Sequence, residues 1–172
     1  MKKSDILVMP AYFDRYINMN DDVTLKDSLE NNGYNLILKE RAMLEQLEDK
    51  VYAPDKWTIK DILQHIIDAE RIFTYRALRF ARNDKTPLPG FEENDYALEA
   101  NAGSRTLDDI IHEFDVTRQS TIGMFSSFSK EQLLKTGISN NNEISVLAIG
   151  FTISGHLIHH MNIIKERYFP LL

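Results

Sequence analysis

The stretch from Glu143 to Phe169 limits what this chain can fold into more than any other. Wound as a helix at about 100° per residue, it puts Val146, Ile149, Ile153, Leu157, Ile163 and Ile164 on one face. His160 falls near the middle of that face and His156 about 40° from it. His159 projects the other way, beside Ala148, Gly155, Asn162 and Glu166, toward solvent or a partner. The helix therefore carries an inward i, i+4 pair of histidines. Side chains at that spacing lie roughly 5–6 Å apart at Cβ, so both imidazoles can bind one cation if a third ligand comes from elsewhere. Taken alone, such a pair is more often two core histidines satisfied by carbonyls or carboxylates.

The other long segments share the helical period. From Thr24 to about Glu48, Leu25, Leu29, Leu36, Met43, Leu44 and Leu47 recur at helical spacing, with Thr24 or Asp22 as cap and a weak point at Gly33 worth about 1 kcal/mol against Ala. Pro54 interrupts the pattern. A second helix then runs from Thr58 to about Arg82, opened by Thr58 and Asp61 in capping-box positions, with Ile62, Ile66, Ala69, Phe73, Ala77 and Phe80 inward. His65 sits at the edge of this apolar face. Asp61 and Asp68 project on its outer side, where either could orient the imidazole. Glu70 points inward, where an unpaired carboxylate is costly, so it requires a buried cation or a tyrosine hydroxyl across the bundle, unless it serves proton transfer.

A third helix spans Thr106 to about Ser127, with His112 on its polar side. The connection before it, Asn83 to Ser104, contains Pro87, Pro89, Gly90 and Gly103 and is long for a bundle, which suits a segment that crosses the bundle or covers a site. Ser129 to Lys135 reads as a helical turn ended by Gly137, with Ser139 to Asn142 a polar link. Tyr12, Phe13 and Tyr16 form a short arm over one end of the core. No connection carries a hairpin signal such as Asn-Gly between alternating runs. The expected fold is all-α with no sheet: a four-helix bundle with a long crossover connection between helices two and three, residues 1–172 forming one domain.

A formal charge of −6 with scattered basic residues argues against nucleic acid or anionic lipid as partners and leaves small molecules or proteins. The chain has no cysteine, so it forms no disulfide and any thiol chemistry needs an external thiol. The stretch Met1 to Met9 carries no apolar run of signal-peptide length, no segment approaches 18 uncharged apolar residues, and a cytoplasmic location is expected. Three common chemistries lack their letters. A di-iron carboxylate bundle needs paired Glu-x-x-His motifs, and the nearest match, Asp109-x-x-His112, is single and faces outward. Neither a His-Glu-x-x-His string nor a Gly-x-Ser-x-Gly elbow occurs.

Several features recur in a definite order: Trp57-Thr58 opening a helix, His65 eight residues after the Trp, Glu70, then Gly155-His156 and His160. With Tyr12 to Ile17, Phe91 to Asn94 and Ser104 to Leu107, this order resembles the DinB/YfiT-like superfamily of metalloenzymes, in its bacillithiol-transferase-like branch. The resemblance implies a bundle, often dimeric, in which one histidine from helix two and two from helix four hold a divalent metal. Those positions are His65, His156 and His160. It further implies chemistry of the kind found in relatives that use bacillithiol or mycothiol, and in a thiol-dependent maleylpyruvate isomerase. The expectation is an enzyme holding zinc or nickel that transfers a low-molecular-weight thiol to small electrophiles. The alternatives are a metal-dependent hydrolase and a stress protein that binds metal or ligand without turnover. Asp61, Asp68 and Glu70 are the expected supports behind the ligands. A homodimer is expected as well, because four helices leave Phe13, Tyr16 and Phe128 without an obvious place.

Overall fold

The structure, a computed structural model, describes residues 1–172. A short arm helix α1 (Asp14–Ile17) precedes three short helices, α2 (Leu25–Asn31), α3 (Tyr34–Leu38) and α4 (Arg41–Leu47). The long α5 (Ile59–Ala81) follows, then α6 (Glu93–Ala100), α7 (Leu107–Ser126) and α8 (Lys130–Leu134). A two-stranded hairpin, β1 (Thr136–Ser139) and β2 (Asn142–Ser145), leads into α9 (Val146–Ile163), which continues as a π-helical turn over Ile164–Tyr168. The four-helix bundle comprises the α2–α4 segment, α5, α7 and α9, and the crossover between its second and third members is the α6 connection. Caps match their letters: Thr58 with Asp61 forms a capping box, and Thr24, Thr106, Ser129 and Ser145 each accept from the backbone amide three residues on.

The core has two parts. One gathers Leu25, Phe73, Phe80, Ile149 and Phe151, the other Ile37, Leu44, Ile62, Phe114 and Leu157. Along α5 the second cluster ends at Ile67 and the first begins at Ala69, while along α9 the first ends at Ile153 and the second begins at Leu157. The two helices thus run antiparallel, and His65 and His156 sit where the clusters meet.

The single helix expected from Thr24 to Glu48 is three helices. The break falls at Asn32 and Gly33, and its cause lies across the bundle: Arg118 of α7 donates to the carbonyls of Leu29 and Asn32. A guanidinium that must be buried takes up carbonyls an unbroken helix would use itself, and Gly33 has no Cβ to press on the Leu29 carbonyl, which would lie 3.0 Å from it. The expectation of no sheet is also corrected. The polar link is the tip of the hairpin, with Ser139 paired to Asn142 and both Asn140 (φ 48°) and Asn141 (φ 62°) left-handed. That is a two-residue turn with φ above zero at both positions, which asparagine tolerates better than most residues that carry a Cβ. Gly137 lies against the Phe80 ring, where a Cβ would come within 2.3 Å.

Gly155 is the closest approach in the fold, since a Cβ there would lie 1.9 Å from the Tyr16 carbonyl oxygen. The arm is fixed on α9 by Asn20, whose amide donates to the carbonyls of Tyr16, Ile17 and Phe151. Gly155→Ala must push the arm off the helix, and we expect a loss of about 3 kcal/mol, the upper end for overpacking. Urea unfolding measures it, and an unchanged midpoint would contradict the contact. Phe13, Tyr16 and Phe128 are all buried within one chain. The packing ground for a dimer is therefore withdrawn, because these aromatics already have their place.

Candidate metal centre

His65 stands two turns into α5, His156 and His160 one turn apart on α9, and the three rings converge. His65 Nε2 lies 3.2 Å from His156 Nε2, which lies 3.0 Å from His160 Nε2, and one ring nitrogen from each falls within 4.8 Å of the others. Nitrogens bound at 2.0–2.1 Å to one tetrahedral cation are separated by roughly 3.3 Å. Two neutral imidazoles can share one hydrogen bond, and a third nitrogen facing the same point completes a donor set that one cation could satisfy. No donor or acceptor from any other side chain reaches these nitrogens. The donor set and spacing fit a divalent ion.

The surroundings keep the imidazoles neutral. Burial pushes His65 down to about 4, and pushes His156 and His160 well below the usual value, with the neighbouring histidines adding to the effect. Trp57 packs on His65 at 4.9 Å between ring centroids, and Tyr16 stands edge-on to His156 at 5.1 Å. Burial raises the Tyr16 phenol, whose oxygen accepts from Arg15 at 2.9 Å. The Tyr168 hydroxyl donates to the Trp57 carbonyl at 2.6 Å, tying the π-helical turn after His160 to the start of α5. His159 is excluded from the cluster and meets the Tyr16 ring instead. His112 is exposed on α7.

These shifts give the metal-free protein a predictable acid sensitivity. Unfolded histidine protonates near pH 6.5, whereas folded His65 stays neutral to about 4, so between these values the unfolded chain binds more protons. The neutral-histidine stability is complete above pH 6.5 and is lost as pH falls toward 4. His65 alone accounts for roughly 3 kcal/mol at about 1.4 kcal/mol per pH unit. Urea midpoints of chelated protein at pH 7.5 and 4.5 check this, and equal midpoints would contradict it.

The supports expected behind the ligands require correction. The Asp61 carboxylate accepts from the Thr58 amide at 2.9 Å and the Thr58 hydroxyl at 2.8 Å, so it caps α5. Asp68 accepts from Gln64 at 3.1 Å and lies 3.7 Å from Arg71. Each is drawn to a nearer donor on its own helix, and neither holds His65. Glu70 has the buried cation expected of it: Arg118 Nη2 at 2.9 Å, with the Thr121 hydroxyl donating at 2.6 Å. It too makes no contact with a histidine.

A cleft leads from His65 and His156 past Phe13, Ala69 and Phe73. Its further lining was not assigned from the sequence: Arg76 of α5, Glu93 of α6 and Asn140 of the hairpin tip. The long connection covers the site, as its length suggested, and is zipped to the hairpin by Leu88 and Ile138 at 2.9 Å and by Asn140 and Leu88 at 3.0 Å. Arg76 had one signal. It lies three residues after Phe73 and four before Phe80, on the apolar face.

A helical bundle in which two buried imidazoles and one half-buried imidazole converge, two of them lining a cleft, is the arrangement of a metal-binding bundle protein. The DinB superfamily profile matches residues 40–164, and the chain belongs to that superfamily. It is 25% identical over 118 residues, 67% of each chain, to a protein of Oceanobacillus iheyensis named as a putative metal-dependent hydrolase. In solved structures it is similar to YfiT from Bacillus subtilis, described as a probable metal-dependent hydrolase with an unusual four-helix bundle topology. The TM-score is 0.70 at 14% identity, covering 92% of this chain and 87% of that one, a likeness of fold. No helix is long and apolar enough to cross a membrane.

Proposed function

We propose that the protein is a metal-dependent enzyme acting on small molecules, with His65, His156 and His160 holding one divalent ion, zinc or nickel, through Nε2. The observation that carries this is the convergence of the three Nε2 atoms at 3.0 and 3.2 Å, two of them in buried rings and the third in a half-buried one. Three nitrogen donors suit a borderline cation better than magnesium or calcium. Such an ion supplies Lewis acidity, which makes a water or a thiol nucleophilic near neutral pH.

The chain's own residues do the rest. The apolar wall of Phe13, Ala69 and Phe73 excludes bulk water from the cleft. Tyr16, kept protonated, holds the His156 ring in orientation. Glu93 is the one carboxylate lining this cleft, and its charge acts on His65, so its carboxylate oxygen is the group suited to take the proton of the entering nucleophile.

The finer reading is that a low-molecular-weight thiol is the cosubstrate and the reaction an S-transfer to small electrophiles, since the chain has no thiol of its own. Hydrolysis is the second reading, favoured by the hydrolase names of both relatives. Incubating zinc- or nickel-loaded protein with bacillithiol or another small thiol and a model electrophile, and separately with aryl esters, separates them. Thiol-dependent conjugation supports the first and ester cleavage without thiol the second. No turnover in either arm would overturn the enzyme reading in favour of a binding protein. A homodimer belongs to this reading through the family resemblance, and light scattering tests it.

A further inference from the structure

The fold contains two buried arginines, and it treats them differently. Arg118, 1% exposed, has the Glu70 carboxylate and the carbonyls of Leu29 and Asn32 around its guanidinium. Arg76, 5% exposed, donates to a single acceptor, the Pro89 carbonyl at 2.6 Å, with its guanidinium 5.7 Å from the Phe73 ring centroid. No carboxylate lies within ion-pair distance of it, although nine such pairs occur elsewhere in the chain. A guanidinium has five donors, and a buried one without a counter-ion is costly unless another anion answers it.

Arg76 lines the same cleft as His65 and His156. Asn140, exposed at the hairpin tip, lines it too, with its side-chain amide beside Gly90. The wall there is built closely: a Cβ on Gly90 would come 2.7 Å from Asn140 Oδ1. Glu93, the acid of the cleft, forms no ion pair with Arg76, whose polar partner within the protein is the Pro89 carbonyl. Between the ends lie Phe13, Ala69 and Phe73.

We infer that Arg76, with the Asn140 amide, binds an anionic oxyanion group, carboxylate or phosphate, on the small molecule whose reacting part sits at His65 and His156. Arg76 is eleven residues from His65, roughly 16 Å along the helix at Cα, and its side chain leans back toward the histidines. The substrate class is thus an elongated molecule with an apolar middle and an anionic end. The inference rests on the proposed metal site for the position of the reacting end only.

Titration calorimetry of the full chain with 3-phenylpropionate and with phenyl phosphate tests it, on protein as purified and after chelation, with metal content measured on each sample. The expected result is one site in both states of the wild type, the tighter probe naming the anion. Arg76→Gln keeps a donor for Pro89 and should bind at least tenfold more weakly. Asn140→Asp tolerates the left-handed backbone, brings a negative charge, and should weaken binding likewise. If Arg76→Gln fails to fold by circular dichroism, Asn140→Asp decides: wild-type affinity in that variant overturns the inference. So does wild-type affinity in a folded Arg76→Gln, absence of binding to the wild type, or binding that vanishes with the metal, which puts the anion on the ion and leaves the proposed function standing. Arg76-dependent binding by protein that takes up no metal would overturn the proposed function and leave this inference intact.

Discussion

Glu70→Ala is expected to cost about 3–5 kcal/mol of folding stability, the range for removing one partner of a buried ion pair. Glu70 and Arg118 are 2% and 1% exposed, and the carboxylate receives Arg118 Nε at 3.0 Å, Nη2 at 2.9 Å and the Thr121 hydroxyl at 2.6 Å. Deleting it strands a guanidinium beneath α2 and α3 with only two backbone carbonyls to satisfy it. Domains have about 5–15 kcal/mol in total, so the variant should unfold at markedly lower urea. Glu70→Gln keeps acceptors for Thr121 and part of Arg118, and should lose less. Equal losses in both would show that charge is the whole effect, and no loss in either would refute the pair's structural role. Metal content should not change in a folded variant, because Glu70 touches no ligand.

His156→Ala is expected to abolish stabilisation of the protein by zinc. A ligand that binds only the folded state adds about 2.7 kcal/mol when its free concentration is a hundred times its dissociation constant. His156 is the central member of the cluster, within 3.2 Å of both other Nε2 atoms, so its loss leaves two nitrogens on separate helices. Calorimetric melting with and without added zinc reads the effect. Wild type should shift upward by several degrees and His156→Ala not at all. His156→Ala should also show weaker acid sensitivity when metal-free, since burial forces that ring to be neutral.

How much of this is legible in the letters depends on which force decides each feature. Helical phase separates His156 and His160 from His159 by the direction in which the rings point, although α9 is buried all round from Val146 to Leu157 because the α1 arm covers the side where solvent was expected. The capping box at Thr58 is local chemistry and is equally readable. His65 is at the margin by phase alone, since what draws it inward is the Trp57 ring and two imidazoles ninety-odd residues away in sequence. The Gly33 break appears only as a weak point, because the Arg118 donors that exploit it come from another helix. Asp61 and Asp68 mislead, since projection places a carboxylate beside an imidazole while the Thr58 and Gln64 donors lie closer. The hairpin is missed because its turn is Asn140-Asn141 and no glycine announces it. Arg76, Glu93 and Asn140 come together only when the long connection docks on the hairpin, and no local pattern encodes that docking.

The central claim, one divalent ion held by His65, His156 and His160, is tested most directly by elemental analysis of protein purified from zinc- and nickel-supplemented medium. The account predicts about one ion per chain in the wild type, a full complement in His159→Ala, and none in His160→Ala, the two variants differing only in helical phase. Full metal in His160→Ala together with loss in His159→Ala would contradict it.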